Sequence, residues 1–288
     1  MKSKPKQLSN HSFQALGTHW EIVTKHSLGR ELEKEIATHV EDFDKTYSRF
    51  RSDSLVHQIS KRAGVYQFPQ NADRLMSFYK ELYDVTAGLM TPLIGDMLVR
   101  AGYDDRYSFN PQPQRDVPRW EDALEWDGSS LRVDSPLTLD FGAAGKGYLV
   151  DVIAGLLESS GIGDYVVDGS GDMRHSGDIE NKVGLEHPND TRQVIGTLDV
   201  KNKSLAASAT NRRQWSDMHH IFDPHTKKPA EGVTATWVIA DSVMVADGIA
   251  TALFFVDPNR LQKFPFRYVR MHNDGSLDYS PELGGQLF

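Results

Sequence analysis

The sequence has 288 residues, with 32 Lys and Arg against 40 Asp and Glu, which gives a formal net charge of −8. This acidic balance argues against a nucleic-acid partner, because proteins of that class present clustered basic residues. The absence of cysteine excludes disulfides, thiolate catalysis and cysteine-ligated metal centres.

The first ten residues, MKSKPKQLSN, are polar and predict a disordered tail over residues 1–10. No repeat or linker divides the rest, so we expect a single domain over residues 11–288. The charged start leads into no apolar stretch of about 7–15 residues, as a secretory signal requires. No apolar run is long enough to span a bilayer as a transmembrane segment. We expect a cytoplasmic protein, with export through a signal outside this sequence as the alternative.

The first half of the chain alternates strand and helix patterns. Residues 19–24 (HWEIVT) predict a strand with alternate apolar side chains on one face. Apolar residues at spacings of three and four predict amphipathic helices from Arg30 to about Phe50 and from Ala72 to Val85. Residues 104–120 are rich in proline and charge, which predicts a surface loop.

The second half predicts a similar mixture. A short strand at residues 136–141 runs into a Gly/Ala turn, and the helix that follows stops at Gly161. Strands at residues 165–167 and 183–185 are predicted to be joined across GSGDMRHSG, and a strand at residues 235–240 precedes a helix to about Phe254. Strands and helices are mixed without regular βαβ alternation, which favours an α+β fold over a doubly wound sheet.

The turn after the predicted strand, DFGAAGKGY (residues 140–148), has the features of an anion site. Small residues allow a close approach of the backbone, and a helix N-terminus offers free N–H groups to an anion. Lys146 adds a mobile positive charge. The sequence matches neither GxxxxGK[ST] nor GxGxxG, so a phosphate cradle and a tight structural turn both remain open.

Asp247 and Thr251 are four residues apart on a predicted helix and therefore share one face. A carboxylate and a hydroxyl are hard oxygen ligands of the type that Mg²⁺ or Ca²⁺ prefers. The alternative is structural: the Thr hydroxyl bonds back to its own helix and the Asp caps a neighbouring loop.

Three histidines, His219, His220 and His225, fall within seven positions around an Asp-Pro turn. A histidine here could act as a general base, and the cluster could bind a transition metal. An ordinary polar surface loop is the alternative. The Gly-rich turn at residues 169–172 is open in the same way, as a site or as a hairpin.

Eight segments in order resemble the FAD:protein FMN transferase (ApbE) family over nearly the whole chain. They are FQALGT (13–18), YSRFRSDSLV (47–56), TAGLMTPLIG (86–95), DFGAAGKGYLVD (140–151), VVDGSGDMRHSG (166–177), GLEHP (184–188), HIFDPHT (220–226) and VADGIATAL (245–253). The fourth is similar to the family's D-[LF]-G-[AG]-x-[AG]-K-G-Y-x-x-D, and the last to A-D-x-x-x-T-A-L. Their shared order and separations carry the resemblance, because each motif alone is weak.

The resemblance implies an α+β fold with antiparallel sheets flanked by helices and FAD in a cleft between two lobes. It implies Mg²⁺ held by the Asp247 carboxylate, the Thr251 hydroxyl and the Ala143 carbonyl, and His220 as the histidine used in transfer. The positions that match the family's FAD contacts are Leu16, Phe50, Leu89, Met90, Thr91, Asp140, Lys146 and Phe222.

The activity implied is Mg²⁺-dependent transfer of FMN from FAD to a Ser or Thr hydroxyl of an acceptor flavoprotein, with release of AMP. Two alternatives keep the same site: an FAD pyrophosphatase that uses water as the acceptor, and a flavin-binding protein without turnover. The pair Met90-Thr91 stands where the family has Phe-Asp, so a carboxylate acceptor is lost there. That departure is the feature that keeps the binding protein open.

Overall fold

The computed structural model describes residues 8–216 and 218–288. Its helices are α1 (Arg30–Tyr47), α2 (Leu55–Ile59), α3 (Ala72–Val85), α4 (Gly95–Arg100), α5 (Trp120–Ala123), α6 (Gly145–Ser159) and α7 (Val243–Ala252). Within these residues, no helix has the length and apolarity needed to cross a bilayer.

The strands of the first half are β1 (Ser9–Ala15), β2 (Thr18–Thr24), β3 (Gly64–Gln67), β4 (Glu125–Trp126) and β5 (Ser130–Val133). Those of the middle are β6 (Tyr165–Asp168), β7 (Met173–Ser176), β8 (Lys182–His187), β9 (Asp190–Asp199) and β10 (Ser204–Ala209). The remainder are β11 (Gln214–Trp215), β12 (Met218–His219), β13 (Phe222–Asp223), β14 (Lys228–Pro229), β15 (Val233–Ala240), β16 (Phe266–His272), β17 (Leu277–Tyr279) and β18 (Gly285–Leu287).

Eight of these strands form one sheet in the order β1-β2-β6-β7-β10-β15-β16-β17. Each pairing in this sheet is antiparallel. Two three-stranded sheets, β18-β9-β8 and β3-β5-β4, lie apart from it. Antiparallel sheets with helices confirm the expected α+β class.

The interior strand β15, between β10 and β16, is buried along its whole length. Val238 packs into a large apolar cluster with residues of α1, α3, α6 and α7. Trp237 and Ile239 instead join a second cluster that includes Leu185 and Leu198 of the sheet β18-β9-β8. Because side chains alternate across a strand, the helices cover one face of the large sheet and the small sheet covers the other.

Helices α6 and α7 are packed unusually closely at Gly147. A Cβ atom at this position would lie 2.4 Å from the backbone oxygen of Val243 and 2.8 Å from Cβ of Asp247. Only glycine fits such an approach without displacing the backbone. The sequence of the turn therefore fixes how near the start of α6 comes to Asp247 in the middle of α7.

Asp151 on α6 fixes the start of α7. Its carboxylate accepts from the backbone N–H groups of Val243 at 3.0 Å and Met244 at 3.1 Å, and from the Ser242 hydroxyl at 2.6 Å. Ser242 in turn accepts from Val245 N–H as the N-cap of α7. These bonds satisfy donors that the first helical turn leaves unpaired.

Most predicted elements are confirmed. The predicted strand at residues 19–24 is β2, with Trp20 and Ile22 fully buried. The predicted helix at residues 72–85 is α3, and residues 104–119 contain no helix or strand. Helix α1 ends at Tyr47, three residues before the predicted end, because Ser48 is extended. Ser9 and Asn10 pair with β2 and so belong to the sheet, whereas residues 1–7 of the predicted tail lie outside the described residues.

Two predicted features are wrong. Residues 136–141 form no strand: Pro136 lacks an N–H, and the amides of Leu137 and Asp140 bond singly to Ile59 O and Pro92 O. The segment GSGDMRHSG does not join strands 165–167 and 183–185. It contains β7, which forms a hairpin with β6, while β8 belongs to a different sheet.

Candidate active site

One cavity of about 370 Å³ collects most of the predicted site residues from distant parts of the chain. Those that line it are Leu89, Met90, Thr91, Asp140, Ala143, Lys146, His220, Phe222, Asp247 and Thr251. The structure therefore brings together the predicted metal ligands, the predicted base and six of the eight predicted flavin contacts.

Leu16 and Phe50 are not in the cavity wall. Leu16 lies in the β1–β2 turn with a positive φ of 51°, and Thr18, the first residue of β2, reaches the cavity. Phe50 packs edge to face on Tyr103, a residue of the wall, with 5.4 Å between ring centroids. Leu16 is thus two residues from the wall residue Thr18, and Phe50 is separated from the cavity by the Tyr103 ring.

Asp247 is buried on α7, where Oδ2 accepts from the Gly147 N–H at 2.9 Å. Burial raises the pKa of Asp247 well above its ordinary range, and the carboxylate of Asp172 acts in the same direction. Asp172 is fully buried in the β6–β7 turn, and neither of its carboxylate oxygens has a hydrogen-bond partner among the described residues. Two buried carboxyl groups thus lie close enough to interact.

The ammonium of Lys146 lies 2.7 Å from Asp172 Oδ2, an ion pair whose angles do not fit a hydrogen bond. It donates to the backbone oxygen of Gly169 at 2.9 Å. The turn at residues 169–172 therefore holds Lys146, a contact that the sequence pattern did not suggest. Lys146 stays a predicted phosphate ligand, but part of its charge is already neutralised by Asp172.

The other two predicted metal ligands are on the same wall. The Thr251 hydroxyl is one turn from Asp247 on α7 and lies 3.4 Å from the Ser208 hydroxyl of β10. Ala143 lies in the turn before α6, next to Ala144, whose N–H bonds to the Tyr79 hydroxyl. Both residues line the cavity.

The charges in this corner fit a divalent cation. The positive charge of Lys146 acts on Asp168 and Asp247, and pairs directly with Asp172, so three carboxyl groups share one ammonium. Burial raises the pKa of Asp168 as well. No group of three His, Asp or Glu side chains within the described residues has the arrangement of a metal site. The fit therefore depends on Asp247 with the neutral oxygens of Thr251 and Ala143, ligands that suit Mg²⁺.

Asp140 is held by a residue that the sequence analysis did not single out. Arg49 Nε lies 2.5 Å from Asp140 Oδ2, and Gly142 N–H bonds to Oδ1 at 2.7 Å. Although burial opposes ionisation, the Arg49 charge and these hydrogen bonds hold the pKa of Asp140 below its ordinary value. Asp140 is thus a fixed anion that shapes the turn before α6.

Thr91 is buried in the cavity wall, where its hydroxyl accepts from Leu93 N–H at 3.2 Å. That bond caps the short 3-10 helix Pro92–Ile94. The residue that replaces the family's Asp therefore keeps one acceptor role, toward its own backbone, and carries no charge.

His220 is half-buried in the cavity wall, with its backbone N–H bonded to Arg213 O at 3.2 Å. Burial lowers the pKa of His220 to about 3, and the charge of Arg213 acts in the same direction. Nδ1 is buried and has no hydrogen-bond partner within the described residues. The imidazole is therefore neutral at physiological pH and has a nitrogen without a partner.

The neighbouring histidines have different surroundings. His219 bonds to Ala230 O through Nε2 and to Ile221 N–H through Nδ1, so both ring nitrogens serve the local backbone. His225 is exposed on the loop between β13 and β14. Neither lines the cavity. Of the three candidates, His220 alone has the position of a base.

Sequence reasoning missed Arg49, Tyr103 and Arg213, and it named Asp172 only as part of the turn at residues 169–172. Arg49 and Asp172 lie inside segments that the resemblance covers, so their chemical type was visible but their partners, 91 and 26 positions away, were not. Tyr103 and Arg213 lie outside those segments and reach the cavity through tertiary packing.

Comparison with known proteins gives one consistent result. The ApbE family model matches residues 16–268. An FAD:protein FMN transferase from Vibrio cholerae serotype O1 is 25% identical, covering 96% of this chain and 92% of the relative. An FAD:protein FMN transferase from Escherichia coli K12 is 23% identical, covering 90% of this chain and 84% of the relative.

Solved structures show the same fold. The flavin transferase ApbE from Vibrio cholerae superimposes with a TM-score of 0.80 at 24% identity, covering 97% of this chain and 99% of that one. The ApbE protein from Thermotoga maritima gives a TM-score of 0.84 at 22% identity, with 96% and 97% covered.

Proposed function

The chain belongs to the ApbE family, and we propose that it transfers the FMN part of FAD to a Ser or Thr hydroxyl of an acceptor flavoprotein, with Mg²⁺, and releases AMP. Flavin transfer from FAD to protein is the activity after which its relatives are named. The metal, the hydroxyl acceptor and AMP release are the proposed parts.

One observation supports this proposal most. Asp140, Lys146, His220, Asp247 and Thr251 come from three separate segments of the chain and line the same cavity. Phosphoryl transfer depends on positioning and on charge stabilisation. The pocket offers groups for both: a buried carboxylate, cationic side chains and a neutral histidine.

Asp247, Thr251 and the Ala143 carbonyl would hold the metal. Bound there, Mg²⁺ supplies positive charge that stabilises the phosphate oxygens as the pyrophosphate bond breaks. The chain itself contributes Lys146, which the β6–β7 turn orients. Asp140 and Arg49 fix the turn before α6, because Arg49 pairs with the Asp140 carboxylate, which also accepts from the Gly142 N–H.

His220 would act on the acceptor. The acceptor hydroxyl oxygen forms a bond to the FMN phosphorus, the bond from that phosphorus to the bridging oxygen breaks, and AMP leaves with that oxygen. The hydroxyl proton passes to the imidazole, which is neutral and therefore able to accept it. Phosphate charge beside the ring favours the imidazolium, so the basicity of His220 increases when FAD is bound.

The test is the intact mass of a candidate acceptor flavoprotein after incubation with this protein, FAD and Mg²⁺. The proposal predicts a mass gain equal to FMN less one water, absent when the acceptor Ser or Thr is replaced by Ala. AMP release without any mass gain would favour the pyrophosphatase. Flavin binding with neither product would favour the binding protein.

A further inference from the structure

Among the positive side chains that the structure describes around the cavity, one is not paired with a carboxylate. The charges of Arg49 and Lys146 are paired as described above, and Arg212 Nη2 lies 3.0 Å from Glu186 Oε1. Arg213 lines the cavity and makes no ion pair with any residue of 8–216 or 218–288. Its charge is therefore available to a ligand in the cavity.

The surroundings of Arg213 restrict where this charge lies. The guanidinium carbon is 5.8 Å from the centroid of the Tyr103 ring, which is buried in the cavity wall. The backbone oxygen of Arg213 accepts the His220 N–H, so the two residues are joined directly. The charge is close enough to act on both His220 and Asp140.

We propose that Arg213 binds the phosphate of FAD that lies beside His220, which is the FMN phosphate. This inference rests on the proposed function, because that function places the attacked phosphorus next to the base. A guanidinium suits this role because it stays charged at all relevant pH values and its planar N–H groups match two oxygens of one phosphate. In this arrangement Lys146 lies on the side of the cavity near Asp247, and Arg213 lies on the side near His220, where the acceptor hydroxyl would enter.

The chain offers a matched control in the adjacent residue. Arg212 also lines the cavity and is also exposed, but its charge is paired with Glu186. Arg212→Gln and Arg213→Gln remove the same charge from adjacent positions. Neither removes the backbone oxygen that bonds to His220.

The experiment measures equilibrium binding of FAD, FMN and riboflavin by flavin fluorescence to the wild type and both variants. We expect Arg213→Gln to weaken FAD and FMN by about 10- to 150-fold, the usual value of a charge-assisted phosphate contact. Riboflavin has no phosphate and should bind each protein equally. Arg212→Gln should change each affinity less than about threefold, within the range of an exposed ion pair.

Two outcomes would overturn the proposal. If Arg213→Gln weakens FAD but not FMN, the residue contacts the adenylate side. If it weakens riboflavin as much as FAD, its role is structural, and a lowered melting temperature would accompany that result. Arg213→Lys keeps the charge and should retain part of the affinity. Binding needs no turnover, so a wild type that shows this pattern but releases no AMP would contradict only the proposed function.

Discussion

The ammonium of Lys146 and the buried carboxylate of Asp172 lie 2.7 Å apart, between the start of α6 and the β6–β7 turn. Asp172 in turn raises the pKa of Asp247 across the same corner. The cation that the sequence pattern assigns to a phosphate therefore also neutralises a carboxylate. Lys146 therefore has a structural role, the ion pair with Asp172, which can be tested separately from its proposed role in phosphate binding.

Lys146→Met should destabilise the fold, because it leaves Asp172 buried and without a cation. Removing one partner of a buried pair costs about 3–5 kcal/mol of unfolding free energy. The double variant Lys146→Met with Asp172→Asn should recover at least half of that loss, since no unpaired charge remains. Urea unfolding of the wild type, both single variants and the double variant measures the coupling. Equal losses in the single Lys146 variant and the double variant would mean that the pair contributes nothing.

His220→Gln should lower flavin transfer by about 10²–10⁴-fold, the usual contribution of a general base. Its FAD affinity should change little, since the glutamine keeps a polar side chain in the wall. His225→Gln is the matched control, because His225 is exposed outside the cavity. Steady-state rates of AMP release decide the matter. If the two variants lose the same activity, His220 is not the base.

The stability of the wild type should fall in mild acid because of His220. Its pKa of about 3 in the folded protein lies below the value of about 6.5 in an unfolded chain. The unfolded state therefore binds the proton first, so this contribution is complete above pH 6.5 and is lost as the pH falls toward 3. Between pH 7 and pH 5 the wild type should lose about 2 kcal/mol more than His220→Gln. Parallel curves of unfolding free energy against pH would refute the burial of a neutral ring.

Asp151→Asn should loosen the start of α7 and displace Asp247 with it. The amide cannot accept all the bonds that the carboxylate takes from Ser242, Val243 and Met244, so we expect a loss of about 1.5–3 kcal/mol. Asp241→Asn, an exposed carboxylate one residue before the cap, should change stability by less than about 0.5 kcal/mol. Thermal melts of both variants test this, and equal melting temperatures would show that the Asp151 contacts are not needed.

The periodicity of apolar residues predicts an element correctly when the residues of that element alone determine its structure. Residues 72–85 repeat apolar side chains at helical spacing, and the helix has those bounds. Residues 136–141 look like a strand by composition, but a strand also needs a partner strand. Here the backbone amides of Leu137 and Asp140 bond singly to Ile59 at the end of α2 and to Pro92 in a 3-10 helix. The turn at residues 169–172 gave no sign that Met173 would begin a strand of the large sheet.

The same distinction between local and long-range determinants applies to the candidate site. The spacing of Asp247 and Thr251 within one motif predicts that they share a helix face, and both line the cavity. Arg49 with Asp140 and Lys146 with Asp172 depend on packing between segments that are far apart in sequence. Arg213 is one of two adjacent arginines, and contacts in the folded chain distinguish them: Arg212 pairs with Glu186, whereas Arg213 lies by the Tyr103 ring.

The central claim is that flavin transfer needs the Asp247 carboxylate, which would hold Mg²⁺. The Asp247→Asn variant tests this claim most directly. The amide keeps an oxygen for the Gly147 N–H and removes the charge, so the melting temperature should equal or exceed that of the wild type. In saturating Mg²⁺ and FAD, the rate of covalent flavin formation on the acceptor should fall by at least about 100-fold, because stabilisation of the phosphate charge is lost. A folded Asp247→Asn protein that flavinylates the acceptor at the wild-type rate would contradict the claim.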